Sequence, residues 1–470
     1  MPRQRRFDGD SFKLAISDDN HRQGFAHLVR SGYDIDVVEL SKSGHDPKHW
    51  KHSASGLVVR IQLRSQGMVM RSLRGWRKMM MDAFLPVDFP NSVSSDYLAY
   101  QMYDSLQAFF STITSLLASR ALLQGLGVGD ANSSATFAML LTIMRNAVSN
   151  VVTIIFAHRF GLSIEPEAKK YRFLADLFND SAFFLELYSP HLGSWTKAIA
   201  LCSAEGLRAV CGVAAGASKA ALSLHFAKND NLSELSAKEA SQETAVSLVG
   251  LLVGTVVVRA VQDHSLVVYL VVALSLAHLW TNYRGVRSVC MTSINKQRAT
   301  ILFYAYMSSS MVLTPQQVAE SERIIFWDGL MRNASHEPVL LISYAKNFGD
   351  AMSKGAKDVV AVDGPMHTSF IRPYAPGRPG NIKILLWDGA EPKHAILAWF
   401  MAMDTARATT TDNPYGNNDE VSVAAKWRPR ARDDLLWTNL EAQGWDLDTG
   451  AMETGPGVRL SVEMSGRKDE

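Results

Sequence analysis

Cysteine is scarce. Cys202, Cys211 and Cys290 are the only three in 470 residues, too few for a disulfide framework or a four-thiolate zinc site. Net charge is nearly absent as well: 48 Lys+Arg against 46 Asp+Glu leave +2. That is a poor footprint for a dedicated nucleic-acid binder, and no nucleic-acid partner is expected. The 13 histidines are scattered, and no HExxH, CxxC, EF-hand loop or GxSxG occurs, so neither a metal site nor a catalytic signature is legible. The N-terminal MPRQRRFDGD has no apolar run behind it, which argues against a secretory signal. Asp8, Asp10, Asp18 and Asp19 argue against a mitochondrial presequence, and a Ser-rich, acid-poor plastid transit signal is missing too.

Charge is also missing locally. Apolar residues make up 47% and charged residues 20%, which excludes a wholly disordered or collagen-like chain. A mean hydropathy of −0.02 is high for a chain one-fifth charged. The average conceals segregation: Phe84–Val258 holds 11 Lys/Arg and 14 Asp/Glu in 175 residues, against 69 charges in the other 295. An apolar middle is flanked by polar ends.

Residues 1–75 read as an irregular segment with strands at Ile35–Leu40 and Leu57–Leu63, and Arg71–Phe84 as a basic, Met-rich amphipathic stretch. Helices are predicted at Ser95–Gln124, Ala135–Phe160, Glu167–Tyr188, Ser194–Phe226, Ser236–Val261 and Ser265–Lys296. A linker over 311–330 leads to a small α+β domain over 331–464. In it Ile382–Trp387 and Val458–Val462 read as strands, Pro392–Met403 and Asp433–Gln443 as helices and Asp412–Asn418 as a loop, before a polar tail at 465–470. The expected fold is therefore mainly α, a multi-helix and membrane-associated bundle with a small C-terminal α+β domain.

The apolar runs Ala245–Val258 and Ser265–Trp280 reach about 21 and 24 Å at ~1.5 Å per residue, short of a ~30 Å hydrocarbon layer. Arg284, Arg287, Lys296 and Arg298 follow with no acidic residue before Glu320, as the positive-inside rule favours. Arg145 interrupts Thr136–Phe156, where a lone Arg costs ~2.5–3.5 kcal/mol on insertion scales. Glu205 and Arg208 share a helix face and can pair. Gly212-x-x-x-Gly216 and Gly250-x-x-x-Gly254 both allow close helix approach. A membrane bundle and a buried soluble bundle both fit these features, and the membrane is the favoured partner.

The string Gly125-Leu-Gly127-Val-Gly129-Asp130 lacks the last glycine of a dinucleotide fingerprint and reads instead as a helix connector, with Asp130 as an N-cap candidate. Ser236-Ala-Lys238-Glu239 reads as a capping box, with Gln242 and Glu243 one turn on. Asp96, Tyr100 and Asp104 recur every fourth residue, beside Tyr97 and Gln107; paired carboxylates suit proton or cation chemistry, but a polar helix face is the favoured reading. Lys219 and His225 lie on an otherwise apolar helix. A buried lysine can form a Schiff base, but no sequence feature calls for one or for a cofactor.

Longer strings carry a resemblance. FLPVDFPNSVSSDYLAYQMYDSLQAF, ALLQGLGVGDANSSAT, ADLFNDSAFFLELYSP, the block Gly212–Gly254 and HLWTNYRGVRSV resemble successive blocks of the root UV-B sensitive (RUS) family across about Trp76–Arg298. The resemblance implies a eukaryotic, membrane-associated protein with a domain of unknown molecular function. Plant members of the family are linked to seedling development, root responses to UV-B and vitamin B6 homeostasis. No catalytic residues carry over. The resemblance makes the polar and glycine positions of the matching blocks the candidate site: Asp96, Tyr97, Tyr100, Gln101, Asp104, Gly127, Gly129, Asp130, Asn179 and Asp180, with Lys219, His225, Lys238, Glu239, Gln242, Glu243, Asn282, Tyr283, Arg284 and Arg287. The expected role is non-enzymatic, in metabolite homeostasis by small-molecule binding, transport or scaffolding, with a protein partner or family paralogue open. The alternative is a soluble helical module that binds a pyridoxal-phosphate enzyme.

Overall fold

The computed structural model describes residues 35–39, 48–53, 55, 58–60, 75–76, 79–126, 134–228, 230–332, 338–352, 359–372, 379–411 and 434–463. The expected Asp412–Asn418 loop and the residues Gly127, Gly129 and Asp130 lie outside them. The chain divides into two compact units: Met1–Val93 with Lys228–Lys238, and Ser94–Ala227 with Glu239–Glu470.

In the first unit β1 (Ile35–Glu39), β2 (Lys48–His52) and β3 (Val58–Arg60) form an antiparallel meander, with Val37 opposite Trp50 and Lys51 opposite Val59. Residues 79–84 are helical, and Met79, Met80 and Met81 stay exposed.

The second unit begins with six long helices, interrupted once by a 3-10 turn at Ser189–His191. They are α1 (Tyr97–Gly125), α2 (Ala135–Ile164), α3 (Ala168–Tyr188), α4 (Ser194–Phe226), α5 (Leu232–Ala260) and α6 (His264–Ser288); the first turns of α5 fall in the first unit. Ser134 caps α2 by accepting from the Phe137 amide, and Asp263 caps α6 by accepting from Leu266 at 2.8 Å. Helix α2 runs four residues past the expected Phe160, and two further departures have a local cause. Ser236 starts no helix, because the Leu-Ser-Glu-Leu that precedes it is itself compatible with a helix and α5 starts at Leu232. The helix predicted over Ser265–Lys296 is two: the chain is extended at Val289 and Asn295, and Asn295 caps α7 (Lys296–Ser309) by accepting from the Arg298 amide at 2.9 Å.

Helix α3 packs against α1, α4 and α6, and α2 packs on α4. Among the described residues five helices (α1, α2, α4, α5 and α6) are long and apolar enough to cross a membrane, yet only 11–33% of each apolar window is buried. As complete helices, α5 and α6 have 29 and 25 residues, about 43 and 37 Å at ~1.5 Å per residue. Beyond its apolar run the N-terminal part of α5 is polar, with Lys238, Glu239 and Glu243.

After α7 and the short α8 (Pro315–Ser321), which is capped by a Thr314–Gln317 capping box, comes a mixed sheet. Its strands are β4 (Leu330–Arg332), β5 (Pro338–Tyr344), β6 (Val360–Gly364), β7 (His367–Arg372) and β8 (Gly380–Trp387), in the order β4-β5-β8-β7-β6, with β9 (Arg459–Leu460) paired to β8. Between the strands lie α9 (Phe348–Met352), α10 (Pro392–Thr411) and α11 (Asp434–Ala442). Ile382, Ile384 and Leu386 alternate along β8 into a core with Ile396, Trp399, Phe400 and Met403 of α10 and with Leu302 and Phe303 of α7.

Candidate functional site: a charged stripe inside the helices

Arg172, Asp176 and Asp180 recur every fourth residue on α3, and so occupy one face of it. That face looks inward: all three are buried, as are Tyr100, Asp104 and Gln107 of α1 and His278 and Asn282 of α6. The Arg172 guanidinium is the hub. It donates to Asp104 at 2.7 Å, to the Tyr100 hydroxyl at 3.2 Å and to Asp176 at 3.2 Å. Asp176 also accepts from the Gln107 and Asn282 side-chain amides. The ring of His278 lies 2.9 Å from Asp180 through Nδ1 and 3.7 Å from Asp176 through Nε2. One planar cation with five donors thus ties two helices together and satisfies two carboxylates, a task suited to Arg rather than Lys.

Two smaller clusters adjoin the stripe. Lys219 of α4 pairs with Glu243 of α5 at 2.6 Å and lies 4.0 Å from Asp104, so its amine is held as one half of an ion pair. The buried Glu239 accepts from Ser223 at 2.7 Å, and Gln242 donates to the Tyr97 hydroxyl at 3.4 Å. The partners of Glu239 are therefore interior groups rather than those of a capping box. On the other side Arg145 of α2 pairs with Glu205 at 2.7 Å and lies 3.6 Å from Glu186, which also accepts from Arg208. The Arg in the middle of an apolar helix is neutralised by acids on its neighbours, as an interior position requires. Across the central stripe and the Lys219 and Glu239 cluster, Asp104 and Asp176 meet Arg172, Glu243 meets Lys219, Asp180 meets His278 and Glu239 meets Ser223.

A cavity of about 310 Å³ opens between α1, α3, α4 and α5. Ser111, Thr112, Ser115, Asn179, Ser247, Arg208 and Glu243 give it hydroxyls, an amide, a guanidinium and a carboxylate, while Ala108, Leu116, Phe183 and Leu251 supply apolar wall. Its size is at the lower end of small-molecule sites, and its walls can bind a ligand bearing both polar groups and an apolar ring. Gly250 brings α5 against α1 above the cavity: a Cβ there would lie 3.0 Å from Thr112 Cβ and 3.3 Å from the Phe109 carbonyl oxygen. Gly212 and Gly216 face open space, so of the two small-residue pairs only Gly250 and Gly254 make the expected close approach.

At the start of α1, Asp96 accepts from the Cys290 amide at 2.7 Å and lies 3.0 Å from His225. Burial alone would raise its carboxyl, but the His225 hydrogen bond and charge, the Cys290 amide and the Ser94 hydroxyl outweigh it and bring the pKa down to about 2.

Of the residues singled out from sequence, Tyr100, Asp104, Asp180 and Asn282 join the central stripe, Lys219, Glu239 and Glu243 adjoin it, and Asn179 and Glu243 line the cavity. Tyr97 packs edge-on against Phe226 at 5.6 Å, and Gln101 is buried with its Oε1 unpartnered. The others sit elsewhere. Lys238 donates to the Asp82 carbonyl, Tyr283 is exposed and edge-on to Phe173, Arg284 lies over the Tyr103 and Trp280 rings, and Arg287 donates to the carbonyls of Glu320 and Glu322. Arg172, Asp176 and His278 were not singled out. The fourth-residue repeat of charge on an otherwise aromatic helix was the available signal.

Residues 70–310 match the family model described as the Vitamin B6 photo-protection and homoeostasis domain. The chain is 39% identical over 256 residues to RUS family member 1 of Dictyostelium discoideum, covering 54% of this chain and 49% of that one. It is 28% identical over 391 residues to Protein root UVB sensitive 3 of Arabidopsis thaliana, covering 79% and 84% respectively. Protein root UVB sensitive 2, chloroplastic, of the same plant is 26% identical over 325 residues. The chain spans about half the length of the Dictyostelium relative. No solved structure matches.

Proposed function

The chain belongs to the root UVB sensitive family, and from that premise we propose that its helices form an integral membrane domain that binds a small polar metabolite and carries it across the bilayer. The ligand we assign is of the vitamin B6 kind named in the domain's description, held without a covalent bond in the cavity between α1, α3, α4 and α5. One observation carries the reading: apolar side chains such as Ile154, Leu252 and Val256 point outward, while the charges of α3 are buried behind them. In a membrane, ionisable groups face the bundle interior and mark ligand or proton paths, and backbone groups are satisfied within helices. The Arg208 guanidinium and Glu243 carboxylate offer a zwitterion or a hydroxylated heterocycle a partner for each polarity, while Phe183 offers its ring a face.

Carbonate extraction of membranes tests the first part. The protein stays in the pellet if its helices span, and release into the soluble fraction refutes integration and favours the soluble module. Titration of the detergent-solubilised chain with pyridoxine, followed by tryptophan fluorescence, tests the second. Asn179→Ala and Ser247→Ala each remove a polar partner, and each is expected to weaken binding about 5- to 10-fold. Equal affinity in wild type and both variants sinks the assignment of the cavity.

A further inference from the structure

A second concave site lies apart from the membrane cavity, where the first turn of α3, the first turn of α7 and the segment after α8 meet. Its cavity measures about 40 Å³ and is lined by Lys169, Lys170, Lys296, Arg298 and Arg323 against Glu167 and Glu322. A single water needs about 10–15 Å³ on this measure, so the space suits one tetrahedral oxyanion.

Pairing does not use up the positive charge. Glu167 is matched by Lys170 at 2.7 Å, and Glu322 serves Lys169 at 2.6 Å and Arg298 at 2.8 Å together. Lys296 donates to the Thr454 hydroxyl at 2.8 Å and lies 5.9 Å from the Tyr344 ring centre, and no described carboxylate forms an ion pair with it. Arg298 is almost wholly buried, yet its Nε has no hydrogen-bond partner. The lining therefore carries five cations against two carboxylates, and the buried Lys169 and Arg298 share the single carboxylate of Glu322, an arrangement that further negative charge would relieve.

The helix geometry adds to the field. Asn295 fastens two helix starts together: its Oδ1 accepts from the Arg298 amide at 2.9 Å, and its Nδ2 donates to the Pro166 carbonyl at 2.9 Å. The 21-residue α3 makes no side-chain cap bond at Glu167, so its first-turn amides lie uncapped beside the cavity, where their partial positive charge favours an anion. Burial lowers the pKa of both Lys169 and Lys296, against the pull of Glu322 on the first and of Glu167 and Glu453 on the second; an anion between them would oppose that shift.

We propose that this cavity binds a phosphate group, presented either as the free anion or as the monoester of a small molecule, through Lys296, Arg298 and Arg323. Trp327 and Ile324 in the lining give the organic part of a monoester an apolar surface to rest on. The site is independent of the membrane reading, since none of its lining residues belongs to the five apolar helices.

The experiment is calorimetric titration of the detergent-solubilised full chain with inorganic phosphate and, separately, with phenyl phosphate, in chloride buffer of fixed ionic strength. Binding of both probes is expected, weakened at least 10-fold by Lys296→Gln and by Arg323→Gln and unchanged by Lys393→Gln on the exposed surface. Arg323 is exposed, so its variant keeps the test valid if Lys296→Gln fails to fold. Tighter binding of phenyl phosphate identifies a monoester site; equal binding identifies a site for the free anion. No heat with either probe, or heat that Arg323→Gln leaves unchanged, overturns the proposal.

Discussion

The helical region and the sheet region of the same unit bury opposite things. In the sheet region apolar residues go inside: Trp399 is 1% exposed, stacks on Tyr344 at 6.0 Å and donates its indole N–H to Thr300 at 3.1 Å. In the helical region Leu252 is 65% exposed and Ile154 69%, while Arg172 and Asp180 are buried. One chain built on one set of side-chain energies sorts its residues inward in one place and outward in the other. Water rewards hiding Trp399, and the exposed apolar faces that carry Leu252 and Ile154 fit a membrane association, the reading proposed above.

The largest test of that contrast is a pair of variants. Trp399→Ala removes a core side chain and Arg172→Leu removes the shared cation from Asp104 and Asp176. Each is expected to cost about 3–5 kcal/mol in denaturant unfolding, the first by leaving a cavity and the second by leaving buried charge unpaired. If Arg172→Leu is neutral, the stripe is not a closed electrostatic unit.

Next comes Asp96. Its folded pKa of about 2 lies below the ordinary 3.8, so the stability it contributes is present above pH 3.8 and lost as pH falls toward 2. The shift corresponds to about 2 kcal/mol. Asp96→Asn should remove that part of the acid dependence, and an unchanged acid limb in a pH-resolved unfolding series would contradict the pairing with His225.

Glycines give a smaller effect with a sign. Gly250→Ala must push against Thr112 and the Phe109 carbonyl and is expected to cost on the order of 1 kcal/mol, while Gly212→Ala, facing open space, should gain about 0.5–1 kcal/mol from helix propensity. Thermal unfolding in detergent separates the two. The smallest effect is at Leu252: Leu252→Ser should change stability in detergent by no more than about 0.5 kcal/mol, yet lower the membrane-inserted fraction of the chain. A large loss of stability would instead mean that this face is packed in the protein.

Much of this was legible in the sequence. The charge-poor middle, the helix Ser194–Phe226 to the residue, and the strand at β8 follow from periodicity and from Gly, Pro and Asn punctuation. Strands β4 to β7 were missed, since Pro365 and Met366 make an unorthodox hairpin turn and β7 (HTSFIR) is buried at five of its six positions despite its polar residues. The sequence between α6 and α7 is apolar enough to continue a helix, but Asn295 caps α7 and its amide also bonds the Pro166 carbonyl.

The sequence by itself determined where helices form and that Arg145, Asp104 and Asp180 would sit within them, because side-chain hydrophobicity and backbone propensity act over a few residues. Only the tertiary structure decided how those charges are matched. Arg172 meets Asp104 across 68 positions, Asn282 meets Asp176 across 106, and Lys169 meets Glu322 across 153. Coulomb energy depends on distance in space and on the dielectric around the pair, neither of which is a function of separation along the chain.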